Sequence, residues 1–167
     1  LRLRDAQWLG GYERWFAEQA GVTVPADKPA PPPMFTPYTV RGLTLKNRVV
    51  VSPMAQYSAV DGVAGDYHLM HLGARAMGGA AMVFAEMTCV SAQGRITPGC
   101  PGMYEPGHKQ AWKRITDWIH ANTDAKFAMQ IGHAGAKAST RLAWEGIDQP
   151  LKEGNWPIVS ASEQQYL

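Results

Sequence analysis

The stretch 47–57, N-R-V-V-V-S-P-M-A-Q-Y, constrains this chain more than any other. Three consecutive valines make a short, apolar, β-branched run, the pattern of a strand buried on both faces. Ser52-Pro53 ends the run, because proline has no N–H to give a sheet ladder. Met54, Ala55, Gln56 and Tyr57 then follow the carboxyl end of a buried strand, where ligands sit in α/β folds.

The same alternation repeats downstream. Residues 67–77, Y-H-L-M-H-L-G-A-R-A-M, predict a helix capped by Asp66 and ended by Gly78-Gly79. Residues 80–87 predict a second buried strand, ending in Glu86-Met87. A Gly- and Pro-bearing loop covers 88–107. A helix over 108–121 carries Trp112, Ile115, Trp118 and Ile119 on one face. Residues 126–131 predict a third strand. Its period of two points Phe127, Met129 and Ile131 one way, Ala128 and Gln130 the other. That division suits helices outside and a crowded interior inside. Residues 136–167 show no strong periodicity, and their tryptophans and glycines predict a long structured excursion.

Strand, helix, strand, helix, strand in this order predicts a parallel sheet. No G-x-G-x-x-G follows any strand, so the dinucleotide fingerprint is missing. A closed (β/α)8 barrel takes about eight strands and ~250 residues. The expected fold class is therefore α/β, the N-terminal part of such a barrel with about three βα units.

Upstream, residues 1–20 place Leu9, Tyr12, Trp15 and Phe16 at helical spacing and end at Gly21. This aromatic stripe calls for a partner, expected upstream. Residues 25–33 hold five prolines in nine positions and read as a semi-rigid spacer. Residues 34–48 alternate loosely around Arg41-Gly42, the pattern of a short hairpin. The expected organisation is a helical tail over 1–24, a linker over 25–33 and an incomplete barrel domain over 34–167.

Composition narrows the function classes. The net charge is +2, with Lys and Arg scattered, so no nucleic-acid or membrane footprint is visible. No apolar run reaches membrane-span length, and the N-terminus has no apolar leader. Cys89 and Cys100 form no C-x-x-C pair and read as free thiols in a reducing, cytoplasmic compartment. His68 and His71 could share a helix face, but no third ligand follows at metal spacing, so no metal is expected. A first residue of Leu suggests a piece of a longer chain.

Four segments carry a family likeness: Leu45-Lys46-Asn47-Arg48, Ser52 to Tyr57, Gln93-Gly94-Arg95-Ile96, and Gln130 to Gly135. From Phe35 onward the chain resembles the Old Yellow Enzyme family of FMN-dependent NAD(P)H oxidoreductases, in its ene-reductase branch. The arrangement also looks like bifunctional salicylyl-CoA 5-hydroxylase and 2-aminobenzoyl-CoA monooxygenase/reductase proteins. In those, a flavin monooxygenase module precedes the barrel, and the helix of 1–20 would end it.

The resemblance implies FMN as cofactor and NADH or NADPH as hydride donor. Ser52, Pro53, Met54 and Ala55 would lie along the flavin ring, with Met87 contacting it through backbone. Gln130 matches the family's flavin glutamine, whose amide offers a donor and an acceptor together. Tyr57 matches a catalytic tyrosine beside the substrate. The implied substrate is a small molecule, an enone or a dearomatised aromatic acyl-CoA, with an oligomer open for the intact protein. Many family members carry Cys where Ala55 stands, and the family's substrate-anion pair, flavin arginine and phosphate loops lie beyond Leu167. The alternative reading is a non-catalytic fragment that needs the rest of the barrel to bind FMN.

Overall fold

A computed structural model describes residues 5–163; Leu1–Arg4 of the first predicted helix and Gln164–Leu167 of the excursion lie outside the described residues. Two valines, Val50–Val51, form β3, which pairs in parallel with β4 (Met82–Cys89). Strand β4 pairs in parallel with β5 (Lys126–Gly132). Helices α2 (Asp66–Met77) and α3 (Pro106–Asn122) connect them, giving a sheet in the order β3-β4-β5. The expected parallel βαβαβ unit is present.

Both helices cover the same sheet face. Leu72 and Ala76 of α2, Val83 and Ala85 of β4, and Trp112, Ile115 and Ile119 of α3 form its buried core. Burying each large side chain contributes about 1.5–3 kcal/mol. Val49, Val51, Phe127 and Met129 pack against that core, so the odd positions of β3 and β5 face the helices. Trp118 reaches α2 at Gly73, where an added Cβ would stand 2.8 Å from its ring. Close helix contact there requires glycine.

The other sheet face is open, and this corrects two expectations. Val50 points to that face and is 43% exposed, so β3 is not buried on both sides. It is an edge strand of three. Ile131 is also exposed, because the core reaches only to Met129 along β5.

Smaller departures have local causes. Gly65, not Asp66, is the N-cap of α2. Its amide donates to His68 Nδ1 at 3.2 Å, while Asp66 pairs with Arg114 at 2.7 Å. The predicted hairpin is β1 (Tyr38–Val40) against β2 (Leu43–Leu45), antiparallel, with only Leu45 buried.

The upstream helix is α1 (Ala6–Gln19), capped by the Asp5 carboxylate, which accepts from the Trp8 amide. Gly21 at φ +73° closes it: Val22 donates to the Ala17 carbonyl and Gly21 to that of Glu18. Its aromatic stripe divides. Phe16 packs on Arg48, whose guanidinium sits 4.8 Å from the ring centre, and Trp8, Tyr12 and Trp15 stay exposed. Nor is the proline run a free spacer. Arg14 donates to the carbonyls of Val24, Pro25 and Lys28 and folds its first turn back onto α1.

Trp112 is 2% exposed and also donates from Nε1 to the Gly102 carbonyl at 3.1 Å. Trp112→Ala should therefore cost the intact protein about 3–5 kcal/mol, read as a lower urea midpoint at unchanged slope. A loss under about 1 kcal/mol would place Trp112 outside the core.

Candidate functional site

Parallel register puts the carboxyl ends of β3, β4 and β5 side by side. Leaving β3, the chain exposes Ser52, Met54 and Ala55, with Pro53 half-buried. On the neighbouring strands Met87 stands directly opposite Gln130. Gln130 is exposed, and its side-chain amide has no hydrogen-bond partner among the described residues. The Met87 side chain lies against Gly132, where a Cβ would stand 2.9 Å from its Cγ and 3.0 Å from its sulfur.

These residues fit a flavin. An isoalloxazine needs apolar, polarisable surface beside its rings and a donor–acceptor pair at its pyrimidine edge. Met54 would supply the first and Gln130 the second, with Met87 beside them. Ala55 adds no polar atom. An open apolar groove of about 390 Å³, among Met103, Trp112, Lys113, Phe127 and Met129, lies on the helix side of the sheet and is a different place.

Tyr57 has φ +49°, a left-handed conformation that costs a non-glycine residue roughly 1–2 kcal/mol. Its backbone runs tightly past Gly99: a Cβ there would fall 2.2 Å from the Tyr57 carbonyl oxygen. The amide of Ala59 donates to the Gly99 carbonyl at 3.0 Å and pins the loop down. The ring lies 6.5 Å from that of Trp144, on the short helix α4 (Ala143–Gly146). Burial, reinforced by nearby Cys100, pushes the Tyr57 phenol above its ordinary pKa, with Lys137 partly opposing. At neutral pH Tyr57 is a neutral hydrogen-bond donor.

The sequence reading passed over Glu86. It is 4% exposed, yet its carboxylate is fully engaged. Oε2 accepts from the amides of Gln56 at 2.8 Å and Tyr57 at 3.3 Å, and Oε1 meets His68 Nε2 at 3.1 Å. The signal was available: one carboxylate inside the apolar run A-A-M-V-F-A-E-M. A buried, unpaired carboxylate is too costly to keep, so it had to have partners. His68 thus uses both ring nitrogens on Gly65 and Glu86, and His71 stacks on Tyr67 at 5.8 Å.

The two thiols also come together. Cys89 and Cys100 are free and buried; Cys89 Sγ donates to the Met87 sulfur at 3.7 Å, and Cys100 Sγ accepts from the Thr97 amide at 3.4 Å. Interaction between the two thiols pushes Cys89 up and holds Cys100 down, with the Thr97 amide helping at Cys100. The excursion after β5 docks on the same loop. Thr140 donates to the Ile96 carbonyl, and Trp156 Nε1 to that of Gln93 while its ring packs under Arg95.

Three parallel strands joined by two helices that cover one sheet face define a segment of a β/α barrel. The chain belongs to the NADH:flavin oxidoreductase / NADH oxidase family, whose model matches residues 33–164. An NADH:flavin oxidoreductase of Gibberella zeae is 44% identical over 133 residues, covering 77% of this chain and 32% of that protein. Morphinone reductase in complex with tetrahydroNAD superposes with a TM-score of 0.60 at 28% identity, over 72% of this chain and 31% of that one. Old Yellow Enzyme from Pichia sp. AKU4542 gives 0.60 at 27%, over 64% and 28%. The chain spans about a third of the length of the curated relative it matches.

The shifted phenol can be tested directly. Alkaline difference titration at 295 nm, wild type minus Tyr57→Phe, should show one tyrosine ionising above the ordinary 10.0. Because the folded value is the raised one, any stability linked to this group is complete below pH 10 and declines as pH rises through the folded pKa. A Tyr57 that ionises at or below 10.0 contradicts the burial described.

Proposed function

We propose that the intact protein is an FMN-dependent NAD(P)H oxidoreductase of the ene-reductase type, reducing an activated C=C bond. The observation that carries this reading is the unpartnered Gln130 amide beside Met87 at the strand ends, in a chain of this family. Bound FMN supplies hydride transfer from NADH or NADPH to the substrate. Gln130 would present its amide to the pyrimidine edge of a bound flavin, as a fixed donor that favours the reduced state. Ser52, Pro53, Met54, Ala55 and the Met87 backbone would line the ring. Tyr57 donates its phenolic proton in a hydrogen bond to the substrate carbonyl, drawing charge away from the conjugated double bond. An enone or an aromatic acyl-CoA carries such a carbonyl.

The exposed Trp8, Tyr12 and Trp15 suit a helix with a further partner, consistent with α1 ending a preceding flavin monooxygenase module. No helix among the described residues is long and apolar enough to cross a membrane. Two free thiols fit a reducing, cytoplasmic compartment.

The purified intact protein should be yellow and release FMN on denaturation. Gln130→Ala should keep the flavin but lower its midpoint potential and slow reduction by NAD(P)H, by about 3 kcal/mol of transition-state stabilisation. Spectroelectrochemical titration and stopped-flow reduction read the two effects. An unchanged midpoint removes Gln130 from the flavin site, and a colourless protein removes the reading.

A further inference from the structure

We propose that Glu86 is a positioning residue, whose buried carboxylate, aligned by His68, sets the backbone that presents Tyr57 to the substrate. This rests on the reading of Tyr57 as the substrate-side donor. Three features converge on it.

The first is the bulge in β4. Ala85 pairs with Met129 and Met87 with Gln130, so Glu86 is the extra residue between them. A bulge re-aims one side chain without breaking the sheet. Here it leaves Met87 at the flavin face while Glu86 is buried.

The second is the pair of amides that Glu86 receives. Successive N–H groups of Gln56 and Tyr57 converge on Oε2, an anion-binding concavity filled by the chain's own carboxylate. Tyr57 is the residue held in the left-handed region, and Gly99 closes its other side. Strain of this kind persists only where the surroundings over-determine it. The Gln56 side chain is fixed as well, accepting from the Tyr67 hydroxyl at 2.7 Å.

The third is the tautomer of His68. Gly65 donates to Nδ1, so Nε2 carries the ring proton and donates to Glu86 Oε1. Every contact of the carboxylate is thus an acceptance. Glutamine at position 86 has the same shape but one acceptor fewer. Turned either way, its NH2 meets another N–H, that of His68 or those of Gln56 and Tyr57.

The test uses the intact flavin-loaded protein, with 2-cyclohexenone as substrate. Hydrogen exchange is followed over a peptide spanning 52–60, and kcat/KM is measured for Glu86→Gln, Tyr57→Phe and the double variant. Glu86→Gln should speed exchange at Gln56 and Tyr57 at least tenfold, keep FMN content and lower kcat/KM. The double variant should lose no more than the worse single one, since both act through one hydroxyl. Should Glu86→Gln not fold, His68→Gln and His68→Asn replace it. Only the longer side chain can place an N–H where Nε2 stands, so His68→Gln should exchange more slowly and retain more kcat/KM than His68→Asn. Multiplicative losses, unaltered exchange or equal His68 variants would overturn the proposal while leaving the function standing. A Tyr57→Phe variant with wild-type kcat/KM would overturn the proposal through Tyr57's assigned role. Exchange, needing no turnover, would still report the Glu86 contacts.

Discussion

One buried carboxylate ties the site end of this structure together. Glu86 links β4, the loop leaving β3 and the N-terminus of α2 through three hydrogen bonds. Each partner alone is ordinary. Their convergence on one anion is what allows a short two-residue strand to hand over to an ordered loop. Without that anion, two adjacent amides and a buried imidazole would each lack an acceptor, at about 1–3 kcal/mol apiece. Tyr57 would then keep only the packing of Gly99 and the Ala59–Gly99 hydrogen bond to hold it in a left-handed conformation.

The layers around this link explain why the site is where it is. Helices α2 and α3 bury one face of the sheet with Leu72, Trp112, Ile115 and Ile119. Period-two alternation then sends Val50 and Gln130 to the opposite face, and Ala128 with Gln130. On β5 the large Phe127 and Met129 face the helices, and the small Ala128 and polar Gln130 face away. Beyond the strand ends the loop of 90–105 and the excursion after β5 brace one another through Ile96, Thr140, Gln93 and Trp156. The candidate site residues thus sit near the strand ends and on the loop leaving β3, both positioned by the sheet.

Much of this was legible in the residues. The valine run, the glycine pair after α2 and the face of Trp112, Ile115 and Ile119 give the βαβαβ order directly. Placement of Met54, Met87 and Gln130 at strand ends follows from the same pattern. Other features depend on neighbours far along the chain. The bulge at Glu86 has no local signature, because it is a mismatch between two strands. The approach of Cys100 to Cys89 depends on how the loop of 90–105 folds back, as does the fit of Gly99 against Tyr57. The proline run reads as a spacer until Arg14, ten residues before Val24, is seen to clamp it.

The central claim is that flavin lies against the strand-end methionines. Methyl-labelled methionine NMR of the intact protein, with and without FMN, tests it most directly. Ring currents should move the Met54 and Met87 methyl signals and leave those of Met70 and Met77, exposed on α2, in place. Unmoved Met54 and Met87 signals, or shifts confined to Met70 and Met77, would contradict the account.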